Sequence, residues 1–174
     1  MKKKKKEKAG KKLLLDLALR YGLAILLGFF IFAFYSIFTP ATMFLLKLFM
    51  KDASIRGNLI CKNGIAIEII GACIGGSAYY LLLVLNLLTP NIKARKRLLM
   101  FLFSAALFFA FNFVRLFLLL TLAFKGIDVY FYHKVLWYIG STAFVFLTWL
   151  FCIWIFKIKE IPFVSDVKSL LNRS

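Results

Sequence analysis

Residues 98–124 read LLMFLFSAALFFAFNFVRLFLLLTLAF. An α-helix rises 1.5 Å per residue and a bilayer interior is about 30 Å thick, so roughly 20 apolar residues make a crossing. This run exceeds that length and contains a single charge, Arg115. It predicts a membrane-spanning helix. Three further runs satisfy the same criterion, at about residues 13–38, 69–88 and 135–156. The expected fold is an all-α polytopic membrane protein with four transmembrane helices.

Composition agrees. Of 174 residues, 63% are hydrophobic and 18% aromatic, well above the roughly half-apolar content of soluble domains. The net charge is +17, which could indicate nucleic acid. The basic residues instead cluster between apolar runs, the pattern of cytoplasmic flanks of membrane helices, so nucleic acid is not expected as a partner. Residues 1–12 are mostly lysine and form a polybasic tail, and the long run that follows reads as an uncleaved span rather than a signal peptide. Asp16 and Arg20, at i and i+4 in that run, can pair. The membrane domain covers 13–156, and a second basic tail covers 157–174.

Thr39-Pro40 and Thr89-Pro90 predict helix boundaries, because proline ends the preceding helix. Residues 41–50 are apolar but short, with Lys47 and Lys51 on one face. They predict an interfacial helix. The segment Leu59-Ile60-Cys61-Lys62-Asn63-Gly64-Ile65-Ala66-Ile67-Glu68 predicts a small β-hairpin, since Asn-Gly suits the two positive φ angles of a type I′ turn. Interfacial helix and hairpin together occupy 41–68.

Lysine and arginine placement orients the chain. With the N-terminus inside, the inner segments carry eight lysines in 1–12, then Lys93, Arg95, Lys96 and Arg97, then Lys157, Lys159, Lys168 and Arg173. The outer segments carry Lys47, Lys51, Arg56, Lys62, Lys125 and Lys134. A multi-pass protein of the cell membrane is expected, with both termini cytoplasmic and the hairpin outside.

Three polar features stand out. Cys73 lies near the outer end of the second span among Gly75, Gly76 and Ser77, small residues that let a backbone or substrate approach closely. By itself it reads as a packed structural thiol or as the partner of Cys61 in a disulfide. Arg115 lies in the outer half of the third span, where a charge costs about 2.5–3.5 kcal/mol on insertion scales and must face protein or water. Asn112 is one turn earlier on the same face. A structural Arg115 would satisfy carbonyls or pair with Glu68 or Asp128. His133, the only histidine, begins the fourth span on the same side. A thiolate attacks acyl carbons, a neighbouring cation or imidazole favours the thiolate, and an imidazole carries the proton. An arginine can stabilise an oxyanion. Cys73, Arg115 and His133 are therefore the candidate catalytic residues, with an active site at the extracytoplasmic face. Asn112, Gly75, Gly76, Ser77, Glu68 and Asp128 are the candidate supporting or substrate-binding residues. No Cys/His spacing suits a metal, and no phosphate-cradling glycine loop is present, so neither metal nor cofactor is expected.

In Ala72-Cys73 followed by small residues, Asn112-x-x-Arg115, and His133 followed by Gly140 and Phe144, the chain resembles the exosortase/archaeosortase family, in particular its small archaeal, pacearchaeosortase-like members. Cys73-Ile74-Gly75-Gly76 departs from the Cys-Ser/Thr-Gly of many members. The resemblance implies a membrane cysteine transpeptidase that cleaves C-terminal sorting signals, each a short motif, a transmembrane helix and a basic cluster. The surface protein would pass to a lipid or other acceptor. It implies Cys73 as nucleophile, Arg115 as transition-state stabiliser and His133 as proton carrier. The alternative is a non-catalytic membrane assembly factor or carrier subunit, with Arg115 as a structural or ligand-pairing charge.

Overall fold

The computed structural model describes residues 2–29, 31–90 and 92–158. Met1 and, from residue 159 on, the expected C-terminal tail lie outside them. The chain runs α1 (Lys2–Gly28), α2 (Ile31–Phe49), β1 (Ser54–Arg56), β2 (Leu59–Lys62), β3 (Ile65–Glu68), α3 (Gly71–Ile74), α4 (Gly76–Leu88), α5 (Ala94–Ala123), α6 (Tyr130–Val135), a π-turn (Leu136–Gly140) and α7 (Ser141–Ile155).

Two helical stretches are long and apolar enough to cross a membrane, Ala94–Ala123 and Tyr130–Ile155. A third crossing is added if the bent pair Leu14–Gly28 and Ala33–Phe49 is one span. The expected run at 98–124 is α5, which starts four residues earlier. The run at 135–156 starts earlier too, in α6. The run at 69–88 is not one helix. It breaks at Gly75, whose φ of 75° is left-handed, and its longer piece has 13 residues. That piece reaches only about 20 Å at 1.5 Å per residue.

The expectations for the first third of the chain need two corrections. The run at 13–38 is not a straight span, because α1 and α2 meet at 57°. Pro40 does not end a helix, and 41–50 is not a separate interfacial helix. α2 runs through Pro40 to Phe49. Thr39 Oγ1 donates to the Tyr35 carbonyl at 2.6 Å and Thr42 Oγ1 to the Phe38 carbonyl at 2.8 Å, hydroxyl back-bonds on either side of the proline. Burial supplies the reason that the helix continues. Met43, Leu46 and Met50, from the stretch expected to be interfacial, are core residues packed with Ile60, Ile69, Ile74, Leu116 and Leu120.

The hairpin is present, with Asn63 at φ 52° and Gly64 at φ 76°, the two positive angles that the turn requires. It is extended by β1 into a three-stranded antiparallel sheet of order β1-β2-β3. The extra strand resolves the marginality of an isolated hairpin, and Ile55, Ile65 and Ile67 rest on the core below.

α4 is the central helix, packing on α1, α2, α5 and α7. Around it lies a second core of Tyr79, Leu82, Met100, Phe108, Val145, Trp149 and Cys152. Phe38 stacks on Tyr79 with centroids 3.9 Å apart. Two arginines satisfy the carbonyls at the C-terminal end of α4. Arg97 donates to Asn86, Leu87 and Thr89, and Arg20 Nη1 donates to Leu88 at 2.8 Å. Both charges meet the negative end of a helix dipole. Arg20 also pairs with Asp16 at 2.9 Å.

Candidate functional site

The site begins with the break at Gly75. A left-handed residue there ends α3 after one turn, and the Gly75 N–H closes it on the Gly71 carbonyl at 3.1 Å. The Cys73 and Ile74 carbonyls are taken up from outside the helix. Asn112 Nδ2 donates to both, at 2.9 Å and 3.1 Å. Arg115 Nη2 donates to the Cys73 carbonyl at 3.3 Å. An apolar interior penalises any unpaired carbonyl, so one asparagine and one arginine on a single face of α5 hold the broken helix in place. Glycine is required at the break by φ, and a Cβ there would also sit 3.2 Å from Phe108 Cε1.

The second break belongs to the fourth apolar run. At the π-turn the Ser141 N–H reaches back to the Leu136 carbonyl. That carbonyl also accepts Ser141 Oγ at 3.1 Å and Arg115 Nη1 at 3.4 Å. Arg115 Nη1 donates to Ser141 Oγ as well. The guanidinium thus joins two interrupted helices. Arg115 is 5% exposed and Asn112 2%. Arg115 forms no ion pair with Glu68 or Asp128, so of the structural roles considered for it, the carbonyl-satisfying one is what the geometry contains.

Cys73 is buried at 8% exposure. All three cysteines are free thiols, and Cys61 sits in β2 opposite Ser54 and Ala66 rather than bonded to Cys73. Cys73 Sγ lies 4.0 Å from His133 Nε2, at the long end of the range for a polarizable sulfur. His133 is half-buried on α6, held by its N–H on the Val129 carbonyl at 2.8 Å.

Cys73 and His133 share a cavity of about 470 Å³. Its wall is mainly apolar, from Ile67, Ile69 and Ile70 on one side and Leu116, Leu119 and Leu120 on the other, with Glu68 and Asp128 as its carboxylates. Arg115 is not on that wall. Gly75 and Ser77 line a different, smaller cavity of about 200 Å³ with Trp137, Ser141 and Thr142. Gly76 begins α4 and lines neither. The candidate residues therefore divide into three. Cys73, His133, Glu68 and Asp128 face one cavity. Asn112 and Arg115 hold the backbone behind the thiol. Gly75 and Ser77 face away.

Ser141 and the π-turn are not among the residues that the sequence singles out. A serine within an apolar helix is a weak signal by itself, and a π-turn leaves no distinct residue pattern. No family model, curated protein or solved structure matches the chain.

Proposed function

We propose that the chain is a membrane-embedded cysteine transpeptidase of the exosortase/archaeosortase kind, acting on surface proteins. The observation that carries this reading is the free Cys73 thiol within 4.0 Å of the only histidine, at the wall of an apolar cavity. In this reading His133 takes the thiol proton and Sγ attacks the carbonyl carbon of the scissile peptide bond. The tetrahedral intermediate collapses with loss of the C–N bond, and the leaving amine receives the proton from His133. The resulting thioester is attacked by the acceptor nucleophile, whose proton passes to His133, and Cys73 is released. Arg115 contributes through the backbone, by fixing the Cys73 carbonyl and hence the thiol.

The reading includes four crossings, formed by the bent α1–α2 pair, by α3 with α4, by α5 and by α6 with α7. Both termini are cytoplasmic, and the sheet and thiol cavity lie outside. The charge bias supports that orientation. The second crossing needs residues 69–75 as well as α4, which is consistent with a broken helix stabilised by its neighbours.

A second reading keeps the membrane fold without chemistry, as an assembly factor or carrier subunit. It is favoured by one observation: the Arg115 guanidinium bonds carbonyls and Ser141, not the thiol. Labelling in intact cells with a membrane-impermeant maleimide separates the two. The enzyme reading expects Cys73 to label in a Cys61→Ala, Cys152→Ala background, faster than in the same background with His133→Ala. It also expects Cys73→Ala to abolish cleavage of a sorting-signal substrate. A Cys73 thiol whose labelling is indifferent to His133, with cleavage intact in Cys73→Ala, supports the second reading.

A further inference from the structure

The thiol cavity touches Ile67 and Glu68, which are adjacent in β3. Successive strand residues point to opposite faces of a sheet. β2 occupies one edge of β3, and among the described residues no strand pairs with the other. The hydrogen-bond phase of that free edge follows from the register. The Ile69 N–H donates to the Asn58 carbonyl at 2.9 Å. Antiparallel pairs alternate between bonded and non-bonded, so Ile67↔Ile60 and Ile65↔Lys62 are the bonded pairs. The N–H and C=O groups of Ala66 and Glu68 then point outward, and among the described residues none has a backbone partner. The same cavity is lined by the stretch from Ile127 to Tyr130, with Asp128, whose Oδ1 accepts the Tyr130 N–H at 2.9 Å. Neither the Glu68 nor the Asp128 carboxylate has an ion-pair partner among the described residues, in a chain of net charge +17.

We propose that the free edge of β3 binds an extended peptide as a fourth strand, through the backbone groups of Ala66 and Glu68. The peptide carries a basic side chain toward Glu68 and Asp128 and continues along the apolar wall to Cys73. Strand addition supplies affinity through backbone bonds, while alternate side chains supply selectivity. The basic residue follows from charge complementarity with two carboxylates that have no ion-pair partner among the described residues. The proposal deepens the transpeptidase reading by identifying how its peptide is held.

The test uses full-length Cys73→Ala protein in detergent micelles, so that binding is read without chemistry. The probes are three acetylated, amidated hexapeptides of alternating threonine and valine that differ only in lysine, serine or glutamate at the fourth position. Expected with the lysine peptide is at least tenfold slower hydrogen exchange at the Ala66 and Glu68 amides, with Ile65 and Ile67 unchanged because they already face β2. The glutamate peptide should bind at least tenfold more weakly than the lysine peptide. Ala66→Pro should weaken lysine-peptide binding roughly five- to tenfold, because it removes one outward donor and none from the β2–β3 ladder. If that variant loses protection at Ile67, its hairpin has opened and the exchange data on the parent protein decide. Exchange at Ala66 and Glu68 unaffected by all three peptides overturns the proposal, and equal binding of the lysine and glutamate peptides overturns its charge selectivity. Wild-type protein that cleaves a sorting-signal substrate while these amides stay unprotected refutes the edge-strand site alone. Protected amides with an inert Cys73 refute the transpeptidase reading alone.

Discussion

Replacing Asn112 by leucine removes the amide that holds the α3 break while keeping side-chain size nearly constant. The structure assigns two hydrogen bonds to Nδ2, at 2.9 Å and 3.1 Å. Each is worth about 0.5–1.5 kcal/mol net, and a buried carbonyl left without a partner costs about 1–3 kcal/mol more. The Cys73 carbonyl keeps Arg115 as a donor. The Ile74 carbonyl loses its side-chain donor. The expected loss is therefore about 2–6 kcal/mol. Partial repair by other polar groups, as membrane bundles allow, places the outcome toward the lower end. Unfolding of the purified protein by a denaturing detergent, followed by circular dichroism, measures it. The same variant should alter the maleimide labelling rate of Cys73, since the carbonyl that fixes this residue has lost one of two donors. A variant within about 0.5 kcal/mol of wild type, with an unchanged labelling rate, would show that Asn112 does not hold the break.

Gly75→Ala should destabilise the fold by about 1–2 kcal/mol, because alanine is strained at φ 75° and its Cβ crowds Phe108; the same unfolding assay checks this. Arg115→Lys should lower both stability and any acyl-transfer activity, because one ammonium cannot span the Cys73 carbonyl, the Leu136 carbonyl and the Ser141 hydroxyl as a planar fork does. Detergent unfolding and a cleavage assay on the variant read the two effects separately. Arg97→Ala should cost about 1–3 kcal/mol by uncovering carbonyls at the end of α4, with little effect on Cys73 labelling, since Arg97 binds the far end of that helix. Reporter fusions after Lys12, Arg97 and Lys159 should read cytoplasmic and those near Asn63 and Asp128 external; a cytoplasmic signal at Asn63 would put the cavity on the wrong side of the membrane.

Helical, membrane-spanning character is legible from residues alone wherever one run carries the whole signal. Residues 98–124 contain no glycine or proline and form one helix, because an apolar chain of that length in lipid satisfies its backbone only internally. Asn63-Gly64 is legible for a similar local reason: a type I′ turn depends on two adjacent φ angles, and few residue types adopt both. The i, i+4 pair of Asp16 and Arg20 needs only helical geometry. Arg115 is conspicuous from its position in an apolar run, because a charge there is costly wherever its side chain points.

What tertiary structure decided concerns partners distant in the chain. Pro40 looks like a terminator locally, but residues after it are buried against the sheet and α5, and that burial carries the helix through. Gly75 and Gly76 look like equivalent small residues, yet only Gly75 turns left-handed, because its neighbours' carbonyls find donors on α5. The direction of the Arg115 guanidinium depends on two helix breaks, at Gly75 and at the π-turn, which create the carbonyls it binds. Cys73 and His133 are 60 positions apart. Their types are visible in sequence, but their 4.0 Å separation exists only because the fold brings α3 and α6 to one cavity. Sequence determines which groups cannot remain unpaired in an apolar medium. Packing determines which distant group answers each of them.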